Sequence, residues 1–161
     1  IMGSGLAEVA AKAGYTVIVR SRSAATAQAM ITSIEKGLDK QLQREKITAD
    51  DKAAILGRLS ATDKISDLAD CDLVIESVVE DLDVKKALFA DLDKAVKPSA
   101  ILATNTSTLP VVEMAMATGR PDKVCGIHFF NPATAMPLVE VVRPITASDE
   151  TIDAANGFTA Q

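Results

Sequence analysis

Short apolar runs alternate with longer stretches of helical periodicity along nearly the whole chain, and this alternation constrains the fold more than any other feature. A strand that lacks a polar face must be covered on both sides, as parallel strands between helices are. Residues 15–19 (Y-T-V-I-V), 71–77 (C-D-L-V-I-E-S), 100–103, 123–130 and 138–142 read as such strands. Helices are expected over 3–13, closed by Gly14, over 24–45, from the Thr48-Ala49-Asp50-Asp51 cap towards 59, and over 84–96 before Pro98. Pro110 suits the first turn of a further helix, and Ser148 caps a last one. The helices within 24–59 should form an antiparallel hairpin. The last two strands, joined by a short loop containing proline, should pair antiparallel. The expected fold is α/β, doubly wound, with a mostly parallel sheet and a projecting helical hairpin.

At 161 residues the chain suits one core-forming domain. A net charge of −5 provides no global field for nucleic acid or anionic lipid, so an anionic ligand must be held by local groups. With 3% aromatic residues and no Trp there is no base-stacking platform. No apolar stretch approaches the roughly 18 residues that a membrane span needs. Cys71 and Cys125 lie in apolar runs and read as buried strand residues, with no spacing for a metal site or a disulfide. A reducing cytoplasm is the expected location.

Gly3-Ser4-Gly5-Leu6-Ala7 opens an Ala-rich helix that leads into a strand. This is the second half of a dinucleotide-binding βαβ unit, where Gly3 lets the helix N-terminus approach a pyrophosphate or simply lets the helix pack. The expected first strand is missing ahead of it. The next strand runs into Arg20-Ser21-Arg22-Ser23 without the carboxylate that holds a ribose 2′-hydroxyl. Two guanidiniums and hydroxyls there suit a 2′-phosphate, which favours NADP over NAD; a solvated basic turn is the plainer reading.

His128, the one histidine, stands near the end of an apolar strand in G-I-H-F-F-N-P, and Glu140 is a lone carboxylate in L-V-E-V-V. A charge buried in such a strand is costly unless paired. If the two strands pair, these residues can meet as a general base and the carboxylate that orients it. Ser107, in the turn N-T-S-T, either caps the next helix or bonds a substrate. Glu80 and Lys85 read equally as helix-start and surface residues.

M-G-S-G-L-A, V-I-E-S-V-V-E-D with Lys85 after it, A-T-N-T-S-T-L, H-F-F-N-P and P-L-V-E-V-V occur in this order over essentially the whole chain. The series resembles the N-terminal domain of the 3-hydroxyacyl-CoA dehydrogenases, particularly the bacterial 3-hydroxybutyryl-CoA type. The resemblance implies a Rossmann-type NAD(P)-binding domain over 1–147, with 148–161 starting a truncated helical C-terminal region that carries the homodimer contact. It implies that His128 is the general base, Glu140 its orienting partner and Ser107 a hydrogen-bond partner of the substrate. Asn131, Glu80 and Lys85 match positions that contact the dinucleotide, with Asn105 beside them. The hairpin matches an element beside CoA, whose phosphates a stripe of Lys36, Lys40 and Arg44 could meet, though a solvated face is the plainer reading. Gulonate-type sugar-acid dehydrogenases and the structural protein lambda-crystallin resemble the same family and remain alternatives.

Overall fold

The computed structural model describes residues 2–161, which fall into two compact units. The strand expected ahead of the first helix lies outside the described residues.

The first unit runs to Lys64 and takes in Asn131–Pro137. It holds α1 (Met2–Lys12), β1 (Val17–Arg20), α2 (Ala24–Gln43), α3 (Ala49–Gly57) and β2 (Leu59–Thr62). Gly14 ends α1 at φ 97°, a conformation that a side chain would strain. Thr48 and Asp51 make a reciprocal capping box at the start of α3. β1 and β2 pair in parallel, Val17 opposite Leu59. β2 was not foreseen, because Leu-Ser-Ala-Thr has no β-branched run and follows a helix directly. Ala7, Ala11, Val19, Ile34, Leu38 and Ile55 form the core, the alanines letting α1 and α2 approach closely.

The second unit spans Ile65–Phe130 and Leu138–Gln161. Its elements are β3 (Leu73–Glu76), α4 (Leu82–Ala95), β4 (Ile101–Thr104), α5 (Val111–Ala115), β5 (Val124–Phe129), β6 (Val139–Val142) and α6 (Asp149–Thr159). The sheet order is β3-β4-β5-β6, the first three parallel and β6 antiparallel on the edge, as the short connection required. Asp81 starts α4 two residues earlier than its apolar spacing indicated, and Pro110 sits at the N-cap of α5 and not in its first turn. Cys125 is buried in β5, and burial pushes its thiol up to about 11. Cys71 corrects the expectation of a second buried strand cysteine: it is half-buried and precedes β3.

Arg120 ties the C-terminal end of α4 to this sheet. It donates to the carbonyls of Asp93 and Lys97 at 2.7 and 2.6 Å, and to the Asp93 carboxylate at 2.6 Å. Burial alone would raise the Asp93 carboxyl, but the Gly119 amide and the Arg120 guanidinium outweigh it and hold it below its ordinary value.

In the β5–β6 pair Gly126 lies opposite Val142. A Cβ on Gly126 would lie 2.7 Å from the Val142 Cβ, on a stiff β-branched side chain that cannot turn away. Gly126→Ala is expected to lower unfolding stability by about 1–3 kcal/mol, as overpacking does. The added substitution Val142→Ala should return part of that loss, and chemical denaturation of the three variants reads both effects.

Candidate functional site

The antiparallel register sets His128 directly opposite Glu140. The two side chains lie on one face, where His128 Nδ1 is 3.0 Å from Glu140 Oε2. A carboxylate only accepts, so Nδ1 carries the hydrogen and Nε2 is left as the acceptor of the neutral ring. The Ser107 hydroxyl, just beyond β4, is 3.0 Å from Nε2. Phe130 meets the ring edge-on, with centroids 4.7 Å apart. The meeting expected from sequence is therefore present, but its premise is corrected. The Glu140 side chain is 53% exposed, because β6 is an edge strand with one open face, so burial does not force the pairing.

The buried carboxylate of an apolar strand is instead Glu76, at the end of β3. Its side chain is 2% exposed and Lys85 beside it 1%, with Lys85 Nζ 2.7 and 3.0 Å from the two carboxylate oxygens. The Thr104 hydroxyl and the Val78 amide donate to the same group. Lys85 is thus no surface residue; the ion pair and hydrogen bonds offset the loss of hydration. Lys85 Nζ also lies 3.2 Å from Glu80 Oε2. Glu80 Oε1 accepts from the Thr106 hydroxyl and, at 3.3 Å, from the Ser107 amide. Burial works to raise the Glu80 carboxyl, but Thr106, Lys85 and the Ser107 amide prevail and hold it below its ordinary value. The Asn105 side-chain oxygen accepts from the Phe129 amide at 2.8 Å, which fixes the end of β5 beside His128. Thr104 and Thr106 were missed; their only signal was alternation with Asn105 and Ser107 in A-T-N-T-S-T.

The other candidates lie in the first unit. A Cβ on Gly3 would come 3.0 Å from the end of Met30, and one on Gly5 3.3 Å from Ala133 Cβ, so both glycines have a packing reason to be small. Arg20 Nε donates to the Asp63 carbonyl at 3.4 Å, Ser21 is half-buried, and Arg22 is exposed. Ser23 is spent on capping α2, accepting from the Thr26 amide. Lys36, Lys40 and Arg44 are all exposed, Arg44 being the residue that ends α2. Asn131 is exposed on a groove of about 170 Å³ that Ser4, Glu8, Ser33 and Ala133 also line. Among the described residues no helix is long and apolar enough to cross a membrane, and no cluster of three metal-ligating side chains occurs.

The family profile described as "3-hydroxyacyl-CoA dehydrogenase, NAD binding domain" matches residues 1–161. The chain belongs to this family. It is 41% identical to a 3-hydroxybutyryl-CoA dehydrogenase of Bradyrhizobium diazoefficiens, covering 99% of the chain and 55% of that relative. A 3-hydroxybutyryl-CoA dehydrogenase of Mycobacterium tuberculosis is 44% identical, with 92% of the chain and 52% of the relative covered. Among solved structures, the Escherichia coli 3-hydroxybutyryl-CoA dehydrogenase superposes with a TM-score of 0.96 at 40% identity, over 99% of this chain and 34% of that one. The Rossmann-type α/β architecture expected from the strand–helix alternation is thereby borne out. The chain spans about half the length of the curated relatives it matches. An NAD(P)-type dinucleotide is the family's cofactor class. The donor set of Arg20, Ser21 and Arg22 at the end of β1 is chemically suited to its phosphate and hydroxyl groups.

The geometry predicts that neutral His128 is the Nδ1–H tautomer. Long-range ¹H–¹⁵N correlation of the imidazole should show a protonated Nδ1 and an unprotonated Nε2, with the preference weakened in Glu140→Ala. A ring protonated at Nε2 in the neutral form would contradict the arrangement.

Proposed function

We propose that the protein interconverts an L-3-hydroxyacyl-CoA, above all 3-hydroxybutyryl-CoA, and the corresponding 3-ketoacyl-CoA. The observation that carries this reading is the Glu140–His128–Ser107 chain, with both contacts at 3.0 Å and Nε2 as the accepting nitrogen. The names of the half-length-matched relatives support the substrate class.

In the oxidative direction His128 Nε2 takes the proton of the substrate 3-hydroxyl. Ser107, whose hydroxyl lies 3.0 Å from Nε2, turns it to the same substrate oxygen and holds that oxygen in place. As the proton leaves, the C3–O bond becomes a carbonyl and hydride departs from C3. A nicotinamide dinucleotide, when bound, supplies the hydride acceptor. Glu140 stabilises the imidazolium that results and keeps Nδ1 from becoming the base. In reduction His128 returns the proton.

The reading includes a preference for NADP(H). Arg22 is exposed and Arg20 stands beside it at the end of β1, where charge-assisted bonds to a 2′-phosphate are available. It also places the CoA phosphates near Lys36, Lys40 and Arg44.

The test is reduction of acetoacetyl-CoA by the full-length protein with NADPH and with NADH. Turnover with the CoA ester, and none with a sugar acid, separates this reading from the gulonate type; no turnover at all would favour a crystallin-like structural role. His128→Ala should lower kcat by about 10²–10⁴-fold, the usual contribution of a general base, and a loss under about tenfold removes His128 from the mechanism. In the same assay Arg44→Glu should raise the KM for acetoacetyl-CoA, and an unchanged KM removes the phosphate role. Arg20→Ala with Arg22→Ala should weaken NADPH binding, followed by nucleotide fluorescence, more than NADH binding. Equal effects on the two, or none, would overturn the NADP preference.

A further inference from the structure

We infer that Thr106, clamped by Glu80 and Lys85, is a positioning residue that aims Ser107 at His128 Nε2. This rests on the roles given to Ser107 and His128 above. Thr106 is buried, at 6% exposure. Its hydroxyl donates to Glu80 Oε1, the same atom that accepts from the Ser107 amide at 3.3 Å. The Thr106 oxygen in turn accepts from the Leu109 amide at 3.0 Å and the Thr108 amide at 3.4 Å. The backbone is therefore held at Ser107 itself and at the two residues after it, which fixes the point from which the Ser107 side chain reaches His128.

The clamp needs its own anchor, because Glu80 belongs to an exposed segment: its side chain is 43% exposed and Val79 beside it is 62% exposed. Lys85 supplies that anchor at 3.2 Å and is itself locked by Glu76 from the floor of the sheet. Packing alone does not ask for this arrangement. Phe89, Leu92 and Leu102 already fill the unit's interior, and apolar residues usually replace a buried ion pair without loss of stability. A fixed direction for Ser107 is what the polar cluster adds. At 2% and 1% exposure, the Glu76 and Lys85 side chains cannot drift into solvent, so the clamp has a rigid base.

Thr106→Val keeps the shape and removes the hydroxyl; Thr106→Ser restores it. In the full-length protein Thr106→Val is expected to lower kcat about tenfold, the size of one lost aligned hydrogen bond, with the acyl-CoA KM changed less than about twofold. Thr106→Ser should recover wild-type kcat to within about twofold, and in a Ser107→Ala background Thr106→Val should cost less than about twofold more. Labelling with ¹⁵N-histidine gives a readout that does not depend on turnover, with His128→Gln assigning the signal. The Nε2 resonance should move in Thr106→Val towards its position in Ser107→Ala and stay in place in Thr106→Ser. Losses that multiply in the double variant, or a Thr106→Val resonance at the wild-type position, would overturn the proposal. If Ser107→Ala leaves turnover intact, the substrate role given to Ser107 falls while the dehydrogenase reading stands, and the resonance alone decides whether Thr106 positions Ser107.

Discussion

The antiparallel pairing of β6 with β5 is the constraint on which the candidate site depends. A parallel sheet by itself delivers functional groups at strand ends from separate strands, as β3 delivers Glu76 and as the turn after β4 delivers Ser107. Only the returning edge strand brings a carboxylate beside a residue of β5. Its register is fixed where a missing side chain at Gly126 admits Val142. A slip by one residue would turn Glu140 to the opposite face and leave His128 without its partner. The site thus depends on a side chain packed over a glycine two residues away from the chemistry.

From that pairing the rest of the polar arrangement can be read as three tiers of decreasing exposure. Glu140 and Ser107 are open, His128 is partly covered, and Thr106 with Glu76 and Lys85 is closed off. Groups that must exchange protons need access, whereas groups that hold others in place benefit from a low dielectric around their hydrogen bonds. The gradient matches a division of labour between chemistry at the surface and support beneath it.

Much of this was legible in the sequence because the physics is local. Apolar runs without a polar face, Gly14 at a helix end and Thr48 with Asp51 each determine structure within a few residues. His128 and Glu140 were legible for a different reason: two short strands with a short connection can only pair closely. Burial, however, belongs to Glu76 and not to Glu140. L-V-E-V-V and L-V-I-E look alike in sequence, but which one is an edge strand depends on sheet order, and that is a tertiary fact. The same holds for Lys85, whose helical position gives no hint that Glu76 waits beneath it. β2 escaped because its pairing with β1 compensates for a sequence with little strand preference of its own.

The central claim is that His128 Nε2 is the proton acceptor, and chemical rescue tests it most directly. In the His128→Gly variant of the full-length protein, free imidazole can enter the space vacated by the ring. Acetoacetyl-CoA reduction, nearly abolished by the substitution, is expected to return in proportion to added imidazole, and Ser107→Ala is expected to give no such response. Turnover by His128→Gly at close to the unsubstituted rate without imidazole would contradict it.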